Sequence, residues 1–401
     1  MSKNLQSNIW KYTLILVTNK RVFIAILGTY YLTIPEVTPK WIGTILLIST
    51  LVGFLFEIPS GYFADKIGHK LTIILAKGFL VASSCSLLFA NNVYLLILGG
   101  IFLSLGTAFH SGTGSAFMHE TLRALKREND YSKVMGRASS LGFAIPIILT
   151  ALVPFLIGIS YKLPFVVGLV LDCIGLITAL TLITPPITPE HVEEVGITNF
   201  RKVLREGYHL QYFRHALFSG TVSGFIFAIG IFRAPYQSIL DLPVIWFGVF
   251  FGAGRVLASI LLAYSGKLHE YFLGIYEYQR FRFLLFAALL LLLGLTTSPW
   301  AVVALFLLIN GFQWGLSQVG TSFLLEIIKE SKFKATLLSV PAQIDMAISA
   351  ITSFMLGWAI ERFSYQSGFL FIAVLFVLIV FPFYLYLQAN KPRLAESAQE
   401  S

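Results

Sequence analysis

Residues 61–70 read GYFADKIGHK, and they follow the apolar stretch LISTLVGFLFEIPS at 47–60. Two glycines, an aspartate, two lysines and a histidine fall within ten residues. Apolar sequence then resumes with LTIILAKGFLVASSCSLLFA at 71–90. A long apolar run, a short charged turn and a second apolar run describe two membrane helices joined at the membrane surface. Gly68 supplies the backbone freedom that so tight a turn needs.

Composition extends this reading to the whole chain. Of 401 residues, 56% are hydrophobic and 12% charged, with a mean hydropathy of +0.79. Soluble domains carry about 25% charge. A membrane helix takes about 20 apolar residues, and apolar segments fall near 22–37, 41–63, 70–90, 93–118, 138–159, 163–184, 216–240, 244–264, 282–298, 300–326, 335–360 and 366–388. The expected fold is an all-α integral membrane protein with twelve transmembrane helices. Lys20 and Arg21 interrupt the first pattern, so residues 8–20 read as an interfacial lead-in. Residues 1–21 lack a small-residue cleavage site and are not read as a signal peptide. Cys85 and Cys173 fall in apolar segments and read as packed side chains, not as a disulfide or metal pair.

With the N-terminus in the cytoplasm, the outer loops hold only Lys40, Lys162, Arg233 and Arg362 of the 29 lysines and arginines. Lys77 and Arg255 lie within spans, and all the others fall on the inner side. This bias predicts a multi-pass inner-membrane protein with both termini cytoplasmic. It also assigns the net charge of +9 to inner-surface contact with anionic lipid and not to nucleic acid. The long polar stretch at 185–215, PPITPEHVEEVGITNFRKVLREGYHLQYFRH, divides six spans from six. Its second part reads either as an amphipathic surface helix or as a solvated linker. The expected organisation is a six-helix half at 1–184, a cytoplasmic linker at 185–215, a second half at 216–388 and a tail at 389–401.

The halves repeat. Trp41, Gly43, Gly61 and Asp65 match Trp246, Gly248, Gly266 and Glu270, each pair 205 residues apart. SAFMHE at 115–120 matches TSFLLE at 321–326, and RASSL at 137–141 matches KATLL at 334–338. A parallel repeat of this kind places a substrate site between the halves, near mid-membrane.

GYFADKIGHK resembles the loop 2–3 signature of the major facilitator superfamily, G-x-x-x-D-[RK]-x-G-[RK]-[RK], and departs from it at His69 alone. FEIPSGYFAD (56–65) and HSGTGSAFMHETL (110–122) are similar to a bacterial subgroup with E-I-P-[ST]-G and a span-four S-G-x-x-x-A-x-x-x-[DE]-[ST]-L, which includes drug exporters. Two positions depart from drug–proton antiporters: Phe102 stands where a span-four Arg is common, and residues 144–149 read AIPIIL in place of G-P-x-x-G-G. The resemblance implies a conformational gate of Gly61, Asp65, Lys66, Gly68, His69, Lys70 and Glu120. In it Asp65 meets the positive N-terminus of span eleven, and His69 or Lys70 bridges to Glu120. Gly61 is expected to permit close helix approach. A histidine bridge carries charge only near or below about pH 6.5, so the gate is expected to weaken as pH rises unless Lys70 bridges. The resemblance also implies that spans one, four, seven and ten line the cavity most directly, and that two, five, eight and eleven contribute.

Ionisable residues inside spans are costly and are functional candidates. Arg255 in span eight and Asp345 in span eleven read as mid-membrane. They form either a substrate and proton site or a permanent ion pair. Asn310, Gln313 and Ser317 share a face of span ten by 3–4 spacing, with Gln318 one position round. His110, Tyr30, Tyr31 and Trp314 are further candidates to line the path. Arg233, beside Pro235, either attracts anions or snorkels to headgroups. Glu57 lies about 12 Å deeper than Asp65 at 1.5 Å per residue and is a second candidate proton carrier. Asp172 has no assigned role, while Lys77 is expected to snorkel or, less readily, to pair with Asp172. No HExxH, paired-Asp or Gly-Ser nucleophile motif and no P-loop occurs, and no large soluble sensor domain is visible. The expected function is proton-coupled efflux of a small organic molecule by a monomeric secondary transporter without cofactor or metal. The alternative is transport of an anionic metabolite or siderophore, drawn by Arg255 and Arg233.

Overall fold

The computed structural model describes residues 2–111, 113–186, 198–329 and 334–390, and their regular structure is helical throughout. The first crossing is α1 (Ser2–Val17), a non-helical break, and α2 (Leu27–Tyr31). Next come α3 (Pro39–Ile67) and α4 (His69–Leu88), then a broken fourth crossing of α5 (Val93–His110) and α6 (Thr113–Ala124). α7 (Tyr131–Leu152) and α8 (Leu163–Leu180) complete the first six. The polar connection contains the short helix α9 (Thr198–His209). The second set is α10 (Tyr212–Ala228) with α11 (Arg233–Ile239), α12 (Phe247–Ala263) with α13 (Ser265–Tyr271), α14 (Ile275–Leu295), α15 (Pro299–Gly315) with α16 (Ser317–Ile327), α17 (Lys334–Arg362) and α18 (Tyr365–Ala389). Eleven segments among the described residues are long and apolar enough to cross a membrane. The twelfth crossing is the broken first one.

That first crossing corrects the sequence reading, which began it at 22. α1 is not an interfacial lead-in. Its Tyr12 and Ile15 are buried, and the buried Asn8 side chain both donates to Ile183 O (2.8 Å) and accepts from Ile183 N–H (3.0 Å). Arg21, read as a boundary, is inside the bundle. Its Nη1 and Nη2 donate to Asp172 Oδ2 and Oδ1 at 2.5 and 2.6 Å, and the Ser84 hydroxyl donates to Oδ2 at 2.5 Å. A paired charge can be buried where a lone one cannot, so Arg21 did not mark the membrane surface. Lys77 neither snorkels nor bonds Asp172. It is fully buried, and its Nζ donates to Ile15 O (3.1 Å) and Thr18 Oγ1 (3.0 Å). Gly175 leaves room for it, since a Cβ there would lie 3.0 Å from Nζ.

The repeat reaches into these buried contacts. Arg282 stands 205 residues after Lys77 and donates through Nη2 to Ser223 Oγ (3.1 Å), which stands 205 after Thr18. Crossings one and four, broken in the first half, match seven and ten in the second, where crossing eight is broken as well.

At one face of the bundle the halves close. A Cβ on Gly43 would lie 2.5 Å from Ser353 O on α17, and one on its repeat mate Gly248 would lie 2.4 Å from Thr150 O on α7. Both glycines exist because backbone meets backbone there. Glu361 on α17 accepts from Lys40 N–H (3.1 Å) and from the Thr38 hydroxyl, tying the halves together. At the face bearing the 67–69 turn the situation reverses. A Cβ on Gly61, or on its mate Gly266, would meet nothing within 4 Å. The expected close approach at Gly61 is therefore absent in this conformation.

Two outcomes follow from these contacts. Asp172→Ala leaves Arg21 buried without its carboxylate and is expected to cost about 3–5 kcal/mol, read as a lowered thermal midpoint in detergent; the Arg21→Met/Asp172→Leu pair should restore most of it. Gly43→Val should wedge the closed seam open. A cysteine placed at Thr38, after replacing Cys85 and Cys173 by Ser, should then react faster with maleimide than in the Gly43 background.

Candidate functional site

The interruption of crossing seven at Gly230–Phe232 turns the chain so that Arg233 faces inward, opposite α12 and α15. A cavity of ≈ 270 Å³ opens there. Arg233, Phe251, Arg255, Asn310, Gln313 and Trp314 line it, with Ser349 and Ser353 from α17 and Ile24 and Leu46 from the first half. Arg255 Cζ lies 4.4 Å from the Trp314 ring centroid, 5.1 Å from Phe251 and 5.7 Å from Phe143. Arg233 Cζ lies 4.6 Å from the same Phe251 ring, and its Nη2 donates to Ala25 O (3.1 Å). Buried to 7% exposure, Arg233 does not snorkel. Among the described residues neither arginine has an acidic partner, and no acidic side chain lines this cavity.

Phe227 and Trp314, packed edge to face at 5.4 Å, separate this space from a second cavity of ≈ 280 Å³. Here Ser219 and Ser223 of α10, Tyr278 and Arg282 of α14, Ser317 and Thr321 of α16 and Asp345 of α17 meet. Arg282 donates to Ser219 Oγ and Ser223 Oγ, both at 3.1 Å, and to Gln313 Oε1 at 3.5 Å. Gln313 thus belongs to both cavities. Asp345 is half-buried, and among the described residues it makes no ion pair or hydrogen bond.

Arg255, Asp345, Asn310, Gln313, Arg233 and Trp314 therefore do line internal space. Arg255 and Asp345 do not form the expected pair, because Trp314 stands between their cavities. The cation that shares a cavity with Asp345 is Arg282, which sequence reading placed at the edge of its span. Its signal was available: Arg282 is the repeat mate of Lys77. Tyr30 and Tyr31 are corrections. Both are core residues, and the Tyr30 hydroxyl donates to Leu87 O (2.6 Å) while its ring packs on Phe165 at 4.0 Å. His110 ends α5 against the Tyr12 ring at 6.5 Å and lines neither cavity, nor does Glu57 or Gln318.

At the open face, Gly68 makes the turn between α3 and α4 with φ +90°. His69, not Lys70, meets Glu120, with Nε2 and Oε1 3.1 Å apart. The second half has the same device. His269 Nε2 lies 3.0 Å from Oε1 of Glu326, the repeat mate of Glu120, though off the line a hydrogen bond needs. Lys66 is turned onto the Tyr62 ring at 4.7 Å. The Asp65 side chain and residues 330–333 before α17 lie outside the described residues.

A family model described as Major Facilitator Superfamily matches residues 12–327. The chain belongs to the major facilitator superfamily. Its many long apolar helices make it a multi-pass membrane protein of that superfamily. An uncharacterized MFS-type transporter, YxaM of Bacillus subtilis (strain 168), is 22% identical over 234 residues, 57% of this chain and 57% of that relative. The fold is similar to a single-site variant of the nucleoside transporter NupG, with a TM-score of 0.80 at 14% identity over 95% of this chain and 99% of that one. It is also similar to a bacterial homologue of the human lysosomal transporter Spinster in an inward-facing conformation, with a TM-score of 0.69 at 16% identity over 97% of each chain. At these identities the solved structures speak for the fold.

The paired His–Glu contacts generate a test on this superfamily member. Spin labels at the exposed Tyr62 and Tyr271 should report a changed distance distribution in His69→Ala/His269→Ala relative to wild type. Identical distributions would remove both histidines from the gate.

Proposed function

We propose that the protein is a proton-coupled secondary transporter that exports a small organic molecule by alternating access, with Asp345 as its proton carrier. The observation that carries this reading is Asp345 itself: a half-buried carboxyl without an ion-pair or hydrogen-bond partner among the described residues, lining a cavity next to the substrate-sized one. A carboxyl inside a membrane protein must be either protonated or offset by a cation. Arg282, in the same cavity, supplies the offset. The two forms are thus both accessible, as a proton carrier requires. Glu57 is a secondary candidate on depth alone.

The glycine seam supports alternating access. Gly43 and Gly248 are packed at the closed face, while Gly61 and Gly266 are bare at the other. We read the bare pair as the seam of the opposite state, closed when residues 1–184 and 216–388 rock about the 185–215 connection. Gly61, Asp65, Lys66, Gly68, His69, Lys70 and Glu120 would then gate the cytoplasmic side, with His69 making the bridge to Glu120. The lysine and arginine bias supports an inner membrane with both termini cytoplasmic, so the conformation described is inward-facing. The direction of transport rests on the likeness of FEIPSGYFAD to exporters. The chain carries no recognisable enzyme motif and is read as moving its cargo unchanged, as a monomer.

The test is reconstitution into liposomes with an imposed pH gradient and a panel of drugs, organic acids, nucleosides and siderophores. At least one panel member should move with the gradient and acidify or alkalinise the lumen in step. Asp345→Asn should abolish the coupled proton movement while leaving exchange of substrate across the membrane. Gradient-insensitive transport in wild type would overturn proton coupling.

A further inference from the structure

The cavity around Arg255 carries an electrostatic imbalance. Two guanidinium groups, Arg233 and Arg255, both lie near the Phe251 ring, at 4.6 and 5.1 Å from its centroid. The described lining includes no acidic residue. Arg233 is 7% exposed, and its Nε has no hydrogen-bond partner. The carboxyl of the adjoining cavity, Asp345, lies across the Trp314–Phe227 partition with a third guanidinium, Arg282. Elsewhere in the bundle the chain neutralises buried arginine directly, as Arg21 with Asp172 shows. Here it does not. Cation–π contact with Trp314, Phe251 and Phe143 softens the cost of holding Arg255 but cancels no charge.

We infer that the transported molecule is an organic anion with an apolar, flat body, its acidic group held between Arg233 and Arg255. This names the substrate class of the cavity in the proposed transport cycle and rests on that reading. Phe251, Phe306 and Ile226 offer the apolar wall, while Asn310 and Gln313 offer hydrogen bonds to orient the head group. The volume, ≈ 270 Å³, lies just below the range of about 300–1,000 Å³ usual for small-molecule sites, which fits a metabolite-sized ligand and not a peptide. Bringing the anion in supplies the countercharge that the fold withholds. The same cations repel organic amines.

The experiment is equilibrium binding to the purified full-length protein, read as the ligand-dependent rise in thermal midpoint. The probes share one ring system: 1-naphthoate, 1-naphthalenesulfonate and 1-naphthyl phosphate as anions, 1-naphthamide as the neutral control, and 1-naphthylmethylammonium as the cation. At least one anion should give a saturable rise, and the amide and ammonium probes should give none. Arg255→Gln should weaken that anion about tenfold or more, the scale of a lost charge-assisted hydrogen bond. Arg255→Lys should retain part of the affinity. Asn310→Asp is nearly isosteric and adds a negative charge to the same wall; it should abolish anion binding without lowering the ligand-free midpoint to that of an unfolded protein. The inference is overturned if no anion stabilises the protein, if the ammonium probe stabilises it as well as the best anion, or if Arg255→Gln and Asn310→Asp both bind unchanged. No gradient is present in this assay, so its failure leaves proton coupling at Asp345 standing. Loss of coupling in Asp345→Asn would likewise leave anion binding standing.

Discussion

A charge held inside an apolar bundle must find its partner there, because hydrocarbon offers none. In the first half three buried charges meet that requirement. Arg21 and Asp172 neutralise each other, Ser84 adds a third bond, and Lys77 is taken up by Ile15 O and Thr18. These contacts join crossings one, three and six into a sealed block. In the second half it is met only in part. Arg282, the counterpart of Lys77, bonds Ser219, Ser223 and Gln313, yet Arg233, Arg255 and Asp345 are left facing open space. Two halves built on one repeat thus differ in how their buried charges are partnered.

The breaks in the helices serve the same division. Crossings seven and ten are interrupted at Gly230–Phe232 and after Gly315, where the cavity walls lie. Interrupted helices expose backbone groups that only a polar cavity or protein can satisfy. Crossing one is interrupted at the equivalent depth, where the break admits Arg21 to its partner and also brings Ile24 to the cavity wall and Ala25 O to Arg233. The seam glycines add the conformational element. Backbone packing at Gly43 and Gly248 gives a tight closed face that side-chain rearrangement cannot loosen gradually. It is either made or broken, and that is the property a two-state transporter needs.

How much of this was legible in the sequence depends on what each signal measures. Hydropathy and charge bias found twelve crossings, and the 205-residue repeat found two halves. Arg255, Asp345, Asn310, Gln313 and Arg233 stood out because a polar residue in an apolar run is conspicuous, and each does line internal space. The same rule misled at Lys20, Arg21 and Arg282, where charge was taken to mark a membrane boundary although Arg21 and Arg282 are buried with partners. Tyr30 and Tyr31 went wrong for the opposite reason. An aromatic in a span says nothing of the direction it faces, and both turned into the core.

The sequence by itself determined the class of fold, the number of crossings, the halving of the chain and the sharp turn at Gly68, because these depend on local composition and on backbone freedom. Which charges are paired and which are bare was decided only in the tertiary structure. Arg21 and Asp172 are 151 residues apart, and Arg282 and Asp345 share a cavity that five helices, α10, α14, α15, α16 and α17, enclose. Linear distance carries no information about such meetings. Around Arg255, packing leaves the described cavity wall without a carboxylate, which no reading of the linear sequence could foretell.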